Sequence, residues 1–222
     1  MNPEAIYLKD YTACPFEIIE VALHFRITEK DTLVESELSM RSLVANRPLV
    51  LQGEALTLMS IALDDSALDA TQYTLSDKQL MVHQVPETFI LKTVVKIFPH
   101  QNTSLEGLYV SGPMLCTQCE PEGFRKITYF IDRPDVMSRF TTTITAPTSR
   151  YPVLLSNGNL IQQRVNEDGT RTVVWRDPFK KPCYLFALVA GDLVHQADEW
   201  ITVSGRKVAL EIYIEPQDID KV

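Results

Sequence analysis

From Phe16 to Ile27 the chain alternates between apolar and wet positions. Val21, Leu23, Phe25 and Ile27 fall on one side of an extended backbone and Glu20, Ala22, His24 and Arg26 on the other, the signature of a half-buried strand. The same period returns in Val34, Leu38, Met40 and Val44 against Glu35, Glu37, Ser39 and Arg41, and in Phe89, Leu91, Val95 and Ile97 against Lys92 and Lys96. Neither stretch carries apolar residues at helical spacing. Further strands are predicted over residues 56–63, 126–130, 140–146, 153–156, 160–165, 171–176, 183–190 and 207–214, most of them rich in β-branched and aromatic residues. Asn157-Gly158 and Asp168-Gly169 supply turn chemistry that divides residues 153–176 into a three-stranded antiparallel meander. One short helix is predicted from Asp132 to Ser138, where an Asp cap is followed by Pro134 in the first turn. The pattern predicts an all-β, antiparallel sandwich with one or two short helices. Residues 99–124 break the period: Gly107, Gly112, Gly123, Pro113 and Pro121 crowd there, and the segment reads as a long ordered loop, the kind of place where function concentrates.

Composition narrows the function more than the fold. The chain of 222 residues, 45% of them hydrophobic, is long enough to bury a proper core. Its net charge of −8 argues against nucleic acid as a partner, since phosphate binders need a cationic face. The longest apolar run, Cys183 to Ala190, is less than half of the ~20 residues that cross a bilayer, so no membrane partner is expected. Four cysteines are too few for a disulfide-built secreted scaffold, and the first residues lack a basic stretch followed by an apolar one. Both features predict a cytoplasmic location.

The familiar catalytic signatures are missing. The two glycines nearest each other are five residues apart, too far for a phosphate-cradling loop, and there is no G-x-S-x-G elbow. His24, His83, His100 and His195 show neither i+4 pairing nor a following Glu, so no H-E-x-x-H zinc site is encoded and no metal ligand is assigned within this sequence. Cys116-Thr117-Gln118-Cys119 is a C-x-x-C pair without a second ligand pair at recognisable spacing. A structural role for these cysteines, with a strained local disulfide within reach, is favoured over a metal or redox module. Glu120 follows directly, on a turn constrained by Pro121. It reads either as a solvated loop acid or as a fixed anion that receives a cation.

A wider set of residues carries a resemblance. Asn102-Thr103-Ser104-Leu105-Glu106-Gly107-Leu108-Tyr109 is followed by Cys116-Thr117-Gln118-Cys119-Glu120, Glu122-Gly123-Phe124-Arg125 and Asp132-Arg133-Pro134-Asp135-Val136. Then come Leu155-Ser156-Asn157-Gly158-Asn159, Trp175-Arg176-Asp177-Pro178-Phe179 and Lys181-Pro182-Cys183-Tyr184-Leu185-Phe186-Ala187-Leu188-Val189-Ala190-Gly191-Asp192. Together they resemble the N-terminal domain of the bacterial aminopeptidase N family, zinc-dependent gluzincins that release N-terminal amino acids from peptides. The resemblance covers nearly the whole chain and is weakest over its first hundred residues.

The resemblance implies a saddle-like β domain over residues 1–192, with residues 193–222 as the opening strands of a thermolysin-like catalytic domain whose remainder lies outside this sequence. Zinc would belong to that remainder, leaving no catalytic residue in this chain and no activity from it alone. Glu120 would match a glutamate that binds the free α-ammonium of a peptide substrate, and Gln118 a residue lining the pocket for its first side chain. The physics suits that task. A carboxylate makes a charge-assisted hydrogen bond to a primary ammonium, which an internal amide cannot replace. Asp132, Arg133 and Asp135 are read as a capped turn with a local ion pair. The competing expectation is a stand-alone β-sandwich that binds or scaffolds without protease activity.

Overall fold

A computed structural model describes residues 7–221. Its largest sheet has eight strands. β1 (Phe16–Ile27) and β2 (Thr32–Ser42) form an antiparallel pair at its middle, extended on one side by β8 (Thr88–Ile97), β4 (Thr57–Leu63) and β5 (Ser66–Ala67). On the other side lie β11 (Met137–Pro147), β14 (Thr170–Pro182) and β13 (Asn159–Val165). β1 and β11 run parallel, so the sheet is mixed, with that one parallel pair among antiparallel neighbours.

The alternation read from the sequence sets the two faces. Val21, Leu23, Phe25 and Ile27 of β1 are buried beside Val34, Leu38 and Met40 of β2 and Leu91 and Val95 of β8, while Arg26 pairs with Glu35 and Lys92 with Glu37 on the wet face. A four-stranded sheet of β9 (Gly107–Ser111), β10 (Met114–Gln118), β12 (Val153–Ser156) and β15 (Leu188–Gly191) adds Leu108, Leu115, Leu154, Leu188 and Ala190 to the same core. A small sheet of β3 (Leu49–Gln52), β6 (Tyr73–Leu75) and β7 (Gln79–Val82) contributes Leu49, Leu51, Leu80 and Val82. Phe124, Phe130, Phe140 and Phe186 meet where these layers converge, with Phe124 edge-on to the other three at centroid distances of 4.8, 6.0 and 5.3 Å. Such geometry adds to the area that the rings bury. The last hairpin, β16 (Val194–Ile201) and β17 (Lys207–Ile214), bonds only to itself and is exposed along most of its length.

Five local expectations are corrected. The helix expected from Asp132 to Ser138 is absent; a turn closed by Val136 N–H to Arg133 C=O leads directly into β11, and Asp132 is drawn into the core instead of capping. Residues 126–130 form no strand but leave a single 3-10 turn, with only an isolated bridge from Phe130 to Gln52. The loop expected over residues 99–124 contains the β9–β10 hairpin, turned at Gly112 with φ +57°. Residues 183–190 split into a 3-10 turn at Cys183–Leu185 and the short β15. Of the meander, β13 and β14 pair as expected, but β12 joins β15 in the other sheet. The Asn157 side chain makes that change of sheet, accepting from Ala187 N–H and donating to Leu185 C=O.

Candidate functional site: the turn after β10

β10 ends at Gln118, and the chain then turns through Cys119, Glu120, Pro121 and Glu122 to Gly123. The turn is fastened at both ends. Cys119 is 2% exposed, and its carbonyl accepts the Gly123 N–H at 2.8 Å. Phe124 follows, fully buried among the aromatic rings. Gly123 is required by closeness: a Cβ there would lie 2.3 Å from the Gln118 carbonyl oxygen. Gly107 on β9 is required twice over, by φ +73° and by the Lys126 Cβ that a side chain would meet at 2.8 Å.

Glu120 and Gln118 occupy the exposed tip of this turn. Gln118 Nε2 donates to the Glu120 carbonyl at 3.0 Å, so the amide braces the turn from within. The Glu120 carboxylate receives no hydrogen bond or ion pair from any described residue. Its neighbours are committed: Glu122 pairs with Arg125 at 3.2 Å and Glu106 with Lys126. Among the described residues, neither Glu120 nor Gln118 lines the recesses beside residues 97–104, on the wet face of the large sheet, under the last hairpin, or between Gly53 and Tyr129. The turn therefore presents an uncommitted anion on a rigid base, and a closed substrate pocket requires surfaces that these residues do not supply.

The cysteines of the C-x-x-C pair do not act together. Cys116 lies on β10 opposite Tyr109, Cys119 points into the core, and all four cysteines are free thiols. Burial pushes the Cys119 and Cys183 thiols far up, and the nearby Asp132 carboxylate adds to it, so both stay protonated and poor as ligands or nucleophiles. Among the described residues no three His, Cys, Asp or Glu side chains group as a metal site. The donor set of the described residues does not fit zinc.

Arg133 and Asp135 form the expected local pair, at 2.6 Å, with Arg133 also donating to Thr12 C=O. Asp132 does something the sequence reading missed. Its side chain is 1% exposed and accepts from Arg125 Nε at 2.9 Å, Arg125 N–H at 3.2 Å and Cys183 Sγ at 3.1 Å. The available signal was the unbroken run Ile127-Thr128-Tyr129-Phe130-Ile131, all buried, delivering a charged residue straight from the interior.

The family described as Peptidase M1 N-terminal domain matches residues 20–185. The chain belongs to that family. Aminopeptidase N of Escherichia coli strain K12 is 46% identical over 221 residues, covering 99% of this chain and 25% of that protein. Aminopeptidase N of Caulobacter vibrioides is 48% identical over 216 residues, again covering 25% of the relative. The M1 N-terminal domain chain thus spans about a quarter of the length of these relatives. The crystal structure of Legionella pneumophila aminopeptidase A in complex with aspartic acid superimposes with a TM-score of 0.91 at 35% identity, over 96% of this chain and 26% of that one. An M1 zinc metallopeptidase from Deinococcus radiodurans, bound to a Tyr-Ser-Ala substrate, shares the fold with a TM-score of 0.75 at 16% identity, over 89% of this chain and 47% of that one.

Proposed function

We propose that this chain is the substrate-entrance part of a zinc aminopeptidase, in which Glu120 receives the α-ammonium of a peptide and Gln118, bracing the turn from within, lines the pocket for its first side chain. The observation that carries the reading is the Glu120 carboxylate, left without a partner at the tip of a turn whose two ends are buried. An ammonium docked there leaves the first peptide carbonyl at a fixed distance, so recognition of the chain end becomes positioning of the bond to be cut. Zinc and the hydrolytic groups belong to a catalytic domain that packs against this one, and residues 193–222 are its opening strands. Support for that division comes from the family match ending at residue 185 and from a β16–β17 hairpin that bonds only to itself while exposing Trp200, Ile201, Val203 and Leu210. Four free thiols, two of them deeply buried, fit a reducing compartment, and we place the protein in the cytoplasm.

The test is Glu120→Ala in the full-length protein. Loss of one charge-assisted hydrogen bond predicts a fall in kcat/KM for dipeptides of roughly 10- to 150-fold, with zinc content unchanged. An unaltered kcat/KM removes Glu120 from the site. The 222-residue chain by itself, given zinc and a leucine anilide, is expected to show no turnover. The alternative, a scaffold without protease activity, draws on the absence of Glu120 and Gln118 from the recesses named above. A coding sequence lacking an H-E-x-x-H motif beyond Val222 would favour it.

A further inference from the structure

The Asp132 carboxylate is an expensive group to bury. A lone ionised carboxylate in the interior is strongly unfavourable, and even a paired one stabilises a fold weakly compared with apolar residues of the same volume. What it supplies is direction. Arg125 approaches through Nε at 2.9 Å and through its own backbone N–H at 3.2 Å, and its Nη2 reaches the Asp132 carbonyl at 3.3 Å. On the far side Cys183 Sγ donates to Oδ1, and the Asp132 N–H is held by Gln52 Oε1 at 3.0 Å. Arg125 closes the turn from which Glu120 projects, and its Nη1 reaches back to Glu122 at 3.2 Å. A guanidinium fork gripped on three sides tolerates little rotation. The backbone from Cys119 to Arg125 thus has an apolar anchor at Cys119, another at Phe124 and an ionic one at Arg125.

We infer that Asp132 is a positioning residue for the N-terminus anchor: through Arg125 it fixes the turn that aims the Glu120 carboxylate, without touching substrate itself. The inference rests on the reading of Glu120 given above. It predicts a signature that a general contribution to folding lacks. Asp132→Asn keeps the shape and removes the charge, so the turn loosens and the cation is held less well.

The experiment is a double-mutant cycle in the full-length protein, measuring KM and kcat for a leucine anilide with E120Q, D132N and the double variant, and with R125K as a second route to the same contact. D132N is expected to raise KM roughly tenfold, within the ~10² that a 1 Å misplacement can cost, with kcat changed less than about twofold. R125K moves KM in the same direction. In the E120Q background D132N is expected to add less than about twofold, because the group it aims is already gone. Full multiplication of the two effects would make Asp132 a fold-wide contributor and overturn the inference. A raised KM in E120Q with D132N and R125K at the parental value would also overturn it, while leaving the role of Glu120 standing. An E120Q variant with parental KM would remove that role and this inference with it. Should D132N give no soluble protein, R125K alone and combined with E120Q decides by the same rule.

Discussion

Between Cys119 and Arg125 the chain leaves the four-stranded sheet and is tied back at almost every step, whereas from Val194 to Ile214 it leaves the sandwich in a hairpin that bonds only to itself. The turn exposes little beyond Glu120, Pro121 and Glu122 and hides Cys119, Gly123 and Phe124. The hairpin does the reverse, leaving Trp200 62% and Val203 fully exposed. Rigidity in the turn comes from burial on both sides of a polar tip. The hairpin has regular ladders but no burial, and a two-stranded ribbon by itself is marginal in water. Exposed apolar side chains on such a hairpin mark a surface meant to be covered, which is where the rest of the proposed catalytic domain would sit.

Core and hairpin substitutions should separate these two regions widely. Phe124→Ala removes a fully buried ring from the aromatic junction and is expected to cost about 3–5 kcal/mol in the denaturant unfolding of the chain. A cost under 1 kcal/mol would mean that the turn is not anchored there. Gly123→Ala places a methyl against the Gln118 carbonyl and is expected to cost about 1–3 kcal/mol, read in the same unfolding experiment. A smaller loss comes with acid. Burial holds the His24 imidazole below its ordinary value, reinforced by Arg26 and Arg164 and opposed by Glu35. The unfolded chain therefore takes up that proton first as pH falls through about 6.5, so stability drops on acidification and is regained as pH rises again. His24→Gln should flatten the unfolding midpoint between pH 7 and 5.5; an unchanged slope would assign it elsewhere. Trp200→Ala is expected to change the isolated chain by no more than about 0.5 kcal/mol, and a loss above 2 kcal/mol would show that the hairpin is covered within this chain after all.

Half-buried strands were legible in the sequence because one face is wet. Phe16–Ile27 is observed with the bounds read from its alternation, and β8 follows the same rule, as does β2 except that Val44, read into its apolar face, lies beyond its end at Ser42 and is exposed. Where everything is buried the period vanishes. Residues 126–130 look like a strand and instead turn through the core, and the apolar run from Cys183 to Ala190 hides a turn at Cys183–Leu185. The misassigned partner of β12 has a different cause: Asn157-Gly158 is hairpin chemistry by type, but the Asn157 side chain bonds to residues 185 and 187, a long-range contact that no local pattern encodes. Glu120 was visible as an acid on a proline-bounded turn, and its proposed role came only with the resemblance. Asp132 was visible as a residue and misread as a cap, since the burial that sets its role depends on Arg125 and Cys183 arriving together.

The most direct measurement is a crystal structure of the full-length protein with a peptide bound. The proposal requires the peptide's amino nitrogen to lie about 2.7–3.2 Å from a Glu120 carboxylate oxygen, the span of a charge-assisted hydrogen bond. An amino end resting beyond about 4 Å from Glu120, paired with some other anion, would contradict it.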